Sequence, residues 1–598
     1  MPHHARPERA FEYRPGPSRA RAPSRCLDRT GLPTAPLIDH VSGEEKAMKV
    51  ADAIVEILKR EGIEVICGYP VNHVLEHAAM GDIRPIIVRQ ERHGLHMADA
   101  MSRLSSGKTI GVFAMQLGPG TENAYGGIAQ AYSESVPLLV LPMGYERRVA
   151  HVDPNYNATR SMRDITKSAE PITSAAEIPN IFRRAFSKLR NGRGGPVLVE
   201  IPNDMWQDEV PEPLNYRPVL STRYGPDPIA VRDAVDLLLA AKRPILYAGQ
   251  GIHYAQAWPQ LKQLAELLAI PVSTSLEGKS AFPETHPLSV GAGGAAISKT
   301  LRHFLDSSDL IFGIGCSFTE TAFGVQMPLD KTVIHATLDP DHVNKDIEAK
   351  VALVGDAALT LDAVLAELEA RKVSPRDHAE IAAEIAKVQE EWLSEWMPKL
   401  TSDSKPLSPY RVLWDLQHTV DIENTIITHD AGSPRDQLSP FWKSVKPLTY
   451  IGWGKTTQLG YGLGLAMGAK LMHPDKLCIN VWGDAAIGFT GMDFETAVRE
   501  RLPILSILLN NFSMAMELPI MKVSTEKYRS TDISGDYAAF ARALGGYGER
   551  VTEPDQIIPA IKRGIEQTQK GVPVLLEFIT TQEIARSRYH RMLTGEKK

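Results

Sequence analysis

The chain predicts an α/β fold of three doubly wound parallel-sheet domains in series, and three observations point to it. Short, almost continuously apolar runs at 244–248, 310–314, 477–481 and 504–509 have the length of parallel strands buried on both faces. Segments with helical spacing separate them, as crossover connections between parallel strands require. At 598 residues, with Pro-containing or charged stretches at 216–228 and 377–396, the chain has the length and punctuation for about three or four domains.

The elements follow in order. Residues 1–47 carry seven Arg and seven Pro with little apolar periodicity, the composition of a disordered leader. The acids Glu8, Glu12, Asp28, Asp39, Glu44 and Glu45 argue against a transit peptide, and Met48 is an equally good natural start. An ordered pattern begins with Val50, Ile54, Val55 and Leu58 on one helical face, stopped at Gly62. The first domain covers 48–214 and closes with an apolar strand at 196–202. A central domain at 226–372 has strands at 244–248, 271–274, 310–314 and 332–338, and an amphipathic helix through Leu261, Leu264 and Leu268. Its Gly249-Gln250-Gly251 is a fragment of a dinucleotide fingerprint whose third glycine is missing. A charged helical linker at 373–405 leads to the third domain, 406–585, and a basic tail, 586–598. There is no short internal repeat.

The chemistry lies at strand ends. Val481-Trp482-Gly483-Asp484 and Leu508-Leu509-Asn510-Asn511 each close an apolar run, and 491–501 between them fits a crossover helix. Ligands of open α/β sheets bind outside the carboxyl ends of the strands, so Asp484 and Asn511 face one crevice. A hard cation such as Mg²⁺ accepts two such oxygens with a backbone carbonyl, and keeps positions for phosphate and water. Near the other end, an apolar strand at 86–88 runs into a helical segment that Glu91 opens, where an acid also suits the helix dipole. His93 and His96 lack a third ligand and read as ordinary helix residues.

These motifs resemble those of thiamine diphosphate enzymes. Gly483-Asp484 followed 27 residues later by Asn511 resembles the family's Gly-Asp-Gly and Asn-Asn fingerprint, with Ala485 where the family most often has Gly. The stretch from Arg89 to Ala100 resembles the family's Arg-His-Glu-Gln-x-x-Ala-x-x-Met-Ala, and Gly118-Pro119-Gly120-Thr121-Glu122-Asn123 its Gly-Pro-Gly-x-x-Asn loop. The resemblance implies that Asp484, the Asn511 side chain and the Ser513 carbonyl bind Mg²⁺, and that Gly483, Ala485, Ala486 and Met514 line the cofactor beside them. It implies that Glu91 hydrogen-bonds N1′ of the aminopyrimidine and moves the proton that activates the cofactor, a role worth on the order of 10²–10⁴ in rate. Leu459, before Gly460-Tyr461-Gly462, becomes the wedge that supports the bent cofactor, and Gln116 a contact to the substrate carboxylate or to the reaction intermediate. Three α/β domains in this order resemble the pyrimidine-binding, central and diphosphate-binding domains of the acetolactate synthase and pyruvate oxidase group. In that group the cofactor spans two chains, which implies a homodimer or homotetramer.

Within the group, the segment from Glu277 to Leu288 and Leu338-Asp339-Pro340 are similar to acetolactate synthase large subunits. That implies decarboxylation and carboligation of 2-oxo acids, pyruvate giving 2-acetolactate. The synthases' Arg-Phe-Asp-Asp-Arg run is replaced here by Ser317-Phe318-Thr319-Glu320-Thr321, a loss of both arginines that counts against FAD. Gly488-Phe489-Thr490-Gly491-Met492-Asp493 and Tyr145-Glu146-Arg147 instead resemble oxalyl-CoA decarboxylases and 2-hydroxyacyl-CoA lyases. This makes acyl-CoA cleavage the alternative, with Arg586, Arg588, Arg591, Lys597 and Lys598 as cations for CoA phosphates. A non-catalytic structural or regulatory paralogue would be expected to lose Glu91, Asp484 or Asn511, and all three are present.

Composition fits an enzyme, with 43% hydrophobic and 23% charged residues. A net charge of −6 gives no sign of nucleic-acid or membrane binding, and no apolar run has the length of a membrane span. Cys26, Cys67, Cys316 and Cys478 are scattered without CxxC spacing, so neither a disulfide framework nor a zinc site is expected and the reducing cytoplasm is the natural compartment.

Overall fold

The structure, a computed structural model, describes residues 48–589; the leader and most of the basic tail lie outside them. The N-terminal domain contains β1 (Val65–Gly68), β2 (Arg84–Ile87), β3 (Gly111–Met115), β4 (Leu138–Gly144), β5 (Ser168–Pro171) and β6 (Val197–Pro202), in the sheet order β2-β1-β3-β4-β6-β5. The central domain contains β7 (Pro244–Ala248), β8 (Val272–Ser275), β9 (Ser289–Gly293), β10 (Leu310–Ile314), β11 (Thr332–Thr337) and β12 (Val351–Val354), ordered β12-β11-β10-β7-β8-β9. The C-terminal domain contains β13 (Thr425–His429), β14 (Tyr450–Ile451), β15 (Leu477–Gly483), β16 (Leu505–Asn510), β17 (Tyr547–Val551) and β18 (Val574–Ile579), ordered β14-β13-β15-β16-β18-β17. Pairing within each sheet is parallel.

The apolar runs form the interior strands for the reason their composition suggests: β3, β4, β7, β10 and β16 are buried at every position. Helices cover both faces of each sheet, so alternation is absent and continuous hydrophobicity is required. The expected first helix is Val50–Arg60, and Gly62 after it has φ +81°. The charged connector is the helix Ala379–Leu400, whose Trp392 packs on Phe441 of the C-terminal domain with ring centroids 4.8 Å apart.

The crossover expected at 491–501 differs in detail. A helix begins at once at Asp484 and runs to Thr490, and a tight turn at Gly491–Asp493 leads into a second helix, Phe494–Arg499. At the break a Cβ on Gly491 would stand 2.6 Å from Ile487 Cγ1, so glycine lets the turn pack against the Ile487 side chain.

The N- and C-terminal domains are joined by two helices that cross face to face, Glu91–Leu104 and Tyr461–Met472. Glycine makes the crossing close: a Cβ at Gly464 would lie 2.9 Å from His93 O, and one at Gly468 2.3 Å from Met97 O. His93 and His96 are fully buried here, His93 Nε2 standing 3.2 Å from Met467 Sδ and the His96 ring 4.1 Å from that of Tyr461. Both rings pack between the two helices. Across the same seam the Tyr461 hydroxyl donates to Asp99 Oδ2 at 2.6 Å, and Asp99 holds Arg103, which donates to Gly452 O at 3.0 Å.

Candidate active site

Asp484 and Asn511 emerge from adjacent strands, Gly483 pairing with Leu509 just before the chain turns at each. The backbone N–H of Ser513 donates to Asp484 Oδ2 and to Asn511 Oδ1, both at 3.0 Å, so the two oxygens converge on one point. Asp484 Oδ1 accepts from Ala485 N at 3.0 Å. The carboxyl is 4% exposed, and burial pushes it up to about 6 while its partners are backbone N–H groups. Among the described residues no Lys, Arg or His pairs with it. A buried carboxylate without a cation, beside an amide oxygen, is an environment that a divalent ion would relieve.

The two asparagines have different tasks. Asn510 is fully buried and spends its side chain on Glu577 Oε1 (2.7 Å) and Phe512 N (3.0 Å), which leaves Asn511 as the one beside Asp484. Ala485, where a glycine was expected, lies in the first turn of the Asp484–Thr490 helix with no positive φ, so its methyl group strains nothing. Ala486 is buried beneath it, and Met514 follows Ser513 half-buried, its N–H donating to Thr531 O.

Leu459 stands before a turn that an unforeseen residue builds. Asp430, at the end of β13, accepts from Ala431 N at 2.8 Å, Gly460 N at 2.9 Å and Gly462 N at 2.9 Å. Gly460, with φ +85°, takes the left-handed conformation that lets both later amides reach that carboxylate. Leu459 is half-buried against the core shared by the two outer domains. The signal available in the sequence was an acid at a strand end, His429-Asp430-Ala431-Gly432, which has no distinctive spacing.

In the N-terminal domain Glu91 opens its helix as expected, with Gln90 as the cap, its side chain accepting from His93 N at 3.1 Å. Glu91 is 5% exposed, and burial raises its carboxyl above the usual range. Asn123 Nδ2 donates to Glu91 Oε2 at 3.2 Å. Gln116, after β3, packs over Gly120, where a Cβ would lie 3.3 Å from Glu91 Oε1 and 3.4 Å from Gln116 Cγ. Thus Glu91, Gln116 and Asn123 surround the Gly118-Pro119-Gly120 turn, in which Gly118 has φ +58°. The Tyr145 hydroxyl approaches the same turn, 2.9 Å from where a Cβ of Gly118 would be.

A separate cavity of about 1040 Å³ lies at the carboxyl ends of β7 and β10. These strands are neighbours at the point where the central sheet's order reverses, the usual ligand position in such sheets. Gln250 and Gly251 line one wall and the Gly315–Thr321 segment another, with Lys108, Arg193 and Lys455 from the flanking domains.

Comparison with known proteins gives the chain's family. Three family models match in chain order: the N-terminal TPP binding domain of thiamine pyrophosphate enzymes at 48–167, the central domain at 231–364 and the C-terminal TPP binding domain at 430–578. The chain belongs to the thiamine pyrophosphate enzymes. It is similar to the probable acetolactate synthase large subunit of Methanocaldococcus jannaschii, 29% identical over 89% of this chain and 92% of the relative. It is equally similar to the acetolactate synthase isozyme 3 large subunit of Escherichia coli, 29% identical over 88% of this chain and 94% of the relative. The Corynebacterium glutamicum acetolactate synthase large subunit is 28% identical, over 91% and 88%. This thiamine pyrophosphate enzyme thus has its two cofactor-binding domains where Glu91 and Asp484 were found, and its large cavity in the central domain between them. No helix among the described residues is long and apolar enough to cross a membrane.

Proposed function

We propose that this enzyme uses thiamine pyrophosphate and Mg²⁺ to decarboxylate a 2-oxo acid and join the remaining fragment to a second 2-oxo acid, as an acetolactate synthase does with pyruvate. The convergence of Asp484 Oδ2 and Asn511 Oδ1 on the Ser513 N–H carries the reading, supported by relatives named acetolactate synthase along most of the chain. In the reaction the C1–C2 bond of the donor acid breaks and CO₂ leaves. A new bond then forms to the carbonyl carbon of the acceptor acid, whose oxygen takes up a proton.

When bound, the cofactor supplies the carbon nucleophile and the electron sink. Asp484, Asn511 and the Ser513 carbonyl would hold Mg²⁺, with Gly483, Ala485, Ala486 and Met514 beside the diphosphate. Leu459, fixed by the Asp430 turn, would support the bend. Glu91 would hold and move the proton at N1′, for which a buried, raised carboxyl is suited. Gln116, on the same turn, would meet the substrate carboxylate. The cofactor is inferred to bridge Glu91 of one chain and Asp484 of a second, so the active form is at least a homodimer.

One observation favours a second reading, acyl-CoA cleavage: the central cavity has room for a nucleotide and is lined by Lys108, Arg190, Arg193, Arg223 and Lys455. Ser317 to Thr321, on its wall, carry no arginine, and FAD is left out of the primary proposal. The test is CO₂ release and acetolactate formation from pyruvate with thiamine pyrophosphate and Mg²⁺, with and without FAD. Acetolactate is the expected product; CO₂ release from oxalyl-CoA, or cleavage of a 2-hydroxyacyl-CoA, with pyruvate inert would replace this reading with the second.

A further inference from the structure

The Pro119–Ser133 helix lies against the Glu91–Leu104 helix along a row of small residues. Gly120, Ala124, Gly127 and Ala131 share one helical face, and a Cβ at Gly127 would stand 2.8 Å from Leu95 Cδ1. This close approach places Asn123, beside that row, against the carboxyl of Glu91. Asn123 is exposed in the single chain, while the carboxyl it touches is 5% exposed. The amide is therefore at the open rim of the site, and its Nδ2 donates to Oε2 at 3.2 Å. The other oxygen, Oε1, faces the Gly120 and Gln116 side, where the absent Cβ of Gly120 leaves it room.

We propose that Asn123 is a positioning residue for Glu91: it occupies Oε2 as a hydrogen-bond acceptor, so that a protonated Glu91 carries its hydrogen on Oε1 and presents it to the bound ligand. A neutral carboxyl has one carbonyl oxygen, the better acceptor, and one hydroxyl oxygen. An N–H fixed on Oε2 makes Oε2 the carbonyl oxygen. Burial raises the Glu91 carboxyl, which lengthens the pH range over which this neutral form exists. Without Asn123 the carboxyl keeps only the hydrogen bond of its own backbone N–H and loses the donor that selects Oε2, so the proton is shared between a productive and an unproductive oxygen. This inference rests on Glu91 being the group that meets the cofactor's aminopyrimidine.

The experiment is a double-mutant cycle on the full chain with Mg²⁺ and thiamine pyrophosphate, reading hydrogen–deuterium exchange at C2 of the bound cofactor. Asn123→Ala is expected to slow exchange on the order of tenfold to a hundredfold, the scale of a misplaced catalytic group. Its cofactor dissociation constant should change by less than about threefold, because the diphosphate is anchored in the other domain. Glu91→Gln is expected to slow exchange further, and adding Asn123→Ala to it should cost nothing more. In cofactor-free protein at acid pH, the infrared carbonyl band that Glu91→Gln removes should shift to higher frequency in Asn123→Ala, having lost its donor. Exchange within about twofold of wild type in Asn123→Ala, with Glu91→Gln strongly impaired, would overturn the positioning role and leave the Glu91 reading standing. Independent, additive losses would overturn it as well. Normal exchange in Glu91→Gln would remove the reading on which it rests.

Discussion

Among the described residues no cation pairs with the buried Asp484, yet its substitution need not cost the fold. In Asp484→Ala the Ser513 N–H keeps its bond to Asn511 Oδ1, so the variant should unfold close to the wild-type temperature while its affinity for Mg²⁺ with thiamine pyrophosphate falls at least tenfold. Calorimetric titration together with a thermal melt checks both halves. A cofactor affinity equal to wild type would remove Asp484 from the metal site. Asp484 and Asn511 were legible in the sequence because strand–helix–strand spacing places them at two adjacent strand ends; Ser513 came only from the family resemblance. Asp430 was not. Its role depends on Gly460 and Gly462 returning to it some thirty residues later, and no local pattern records which amides a buried acid will meet.

At the scale of elements, the seam between the outer domains governs stability. Gly468→Val would drive a branched side chain into Met97 O and Ala100 of the opposing helix, and over-packing of this kind costs about 1–3 kcal/mol. Denaturant unfolding should show that loss, and an unchanged midpoint would mean the helices can separate freely. A second contact across the seam responds to pH. Glu134 is fully buried, its Oε1 accepts from Gly454 N at 3.0 Å and Lys455 N at 2.8 Å, and burial, reinforced by the nearby Glu277, pushes it up to about 7. Arg103 and Lys455 oppose that rise. The folded value lies above that of a free glutamate, 4.5. The folded state therefore binds the extra proton between the two values, and this group withdraws stability as pH rises through that window. Glu134→Gln keeps an acceptor and removes the titration, so its melting temperature should fall less than the wild type's from about pH 5 to about pH 7.5. Interior strands such as β7, β10, β15 and β16 were readable because burial on both faces forces continuous apolar runs, whereas the interior strands β1, β3, β13 and β18 were not singled out. The edge strands β5, β9 and β12 were not separated from loops, since Ser168–Pro171 is half-exposed throughout and Ser289–Gly293 is rich in glycine.

For the whole molecule, the proposed assembly makes a prediction no single variant can. If the cofactor bridges two chains, mixing Glu91→Gln with Asp484→Ala protomers creates hybrid dimers in which one of the two sites is intact. Two inactive preparations should then recover roughly a quarter of wild-type activity after co-refolding, as random pairing in a two-fold dimer requires. No recovery, with mixed dimers demonstrated, would place both residues of each site in one chain. The two outer sheets share a strand order when counted within each domain: β2-β1-β3-β4-β6-β5 corresponds to β14-β13-β15-β16-β18-β17. The two helices of the seam are equivalents too, each entering the third strand of its own sheet. One frame has thus been used twice and turned to face itself, with its loops given different duties. The loop after β3 brings Gln116, and its counterpart after β15 brings Asp484. Because these loops hang from strand ends, residues 116–118 and 145–157 are where a new substrate preference would be written while the twin frames stay as they are.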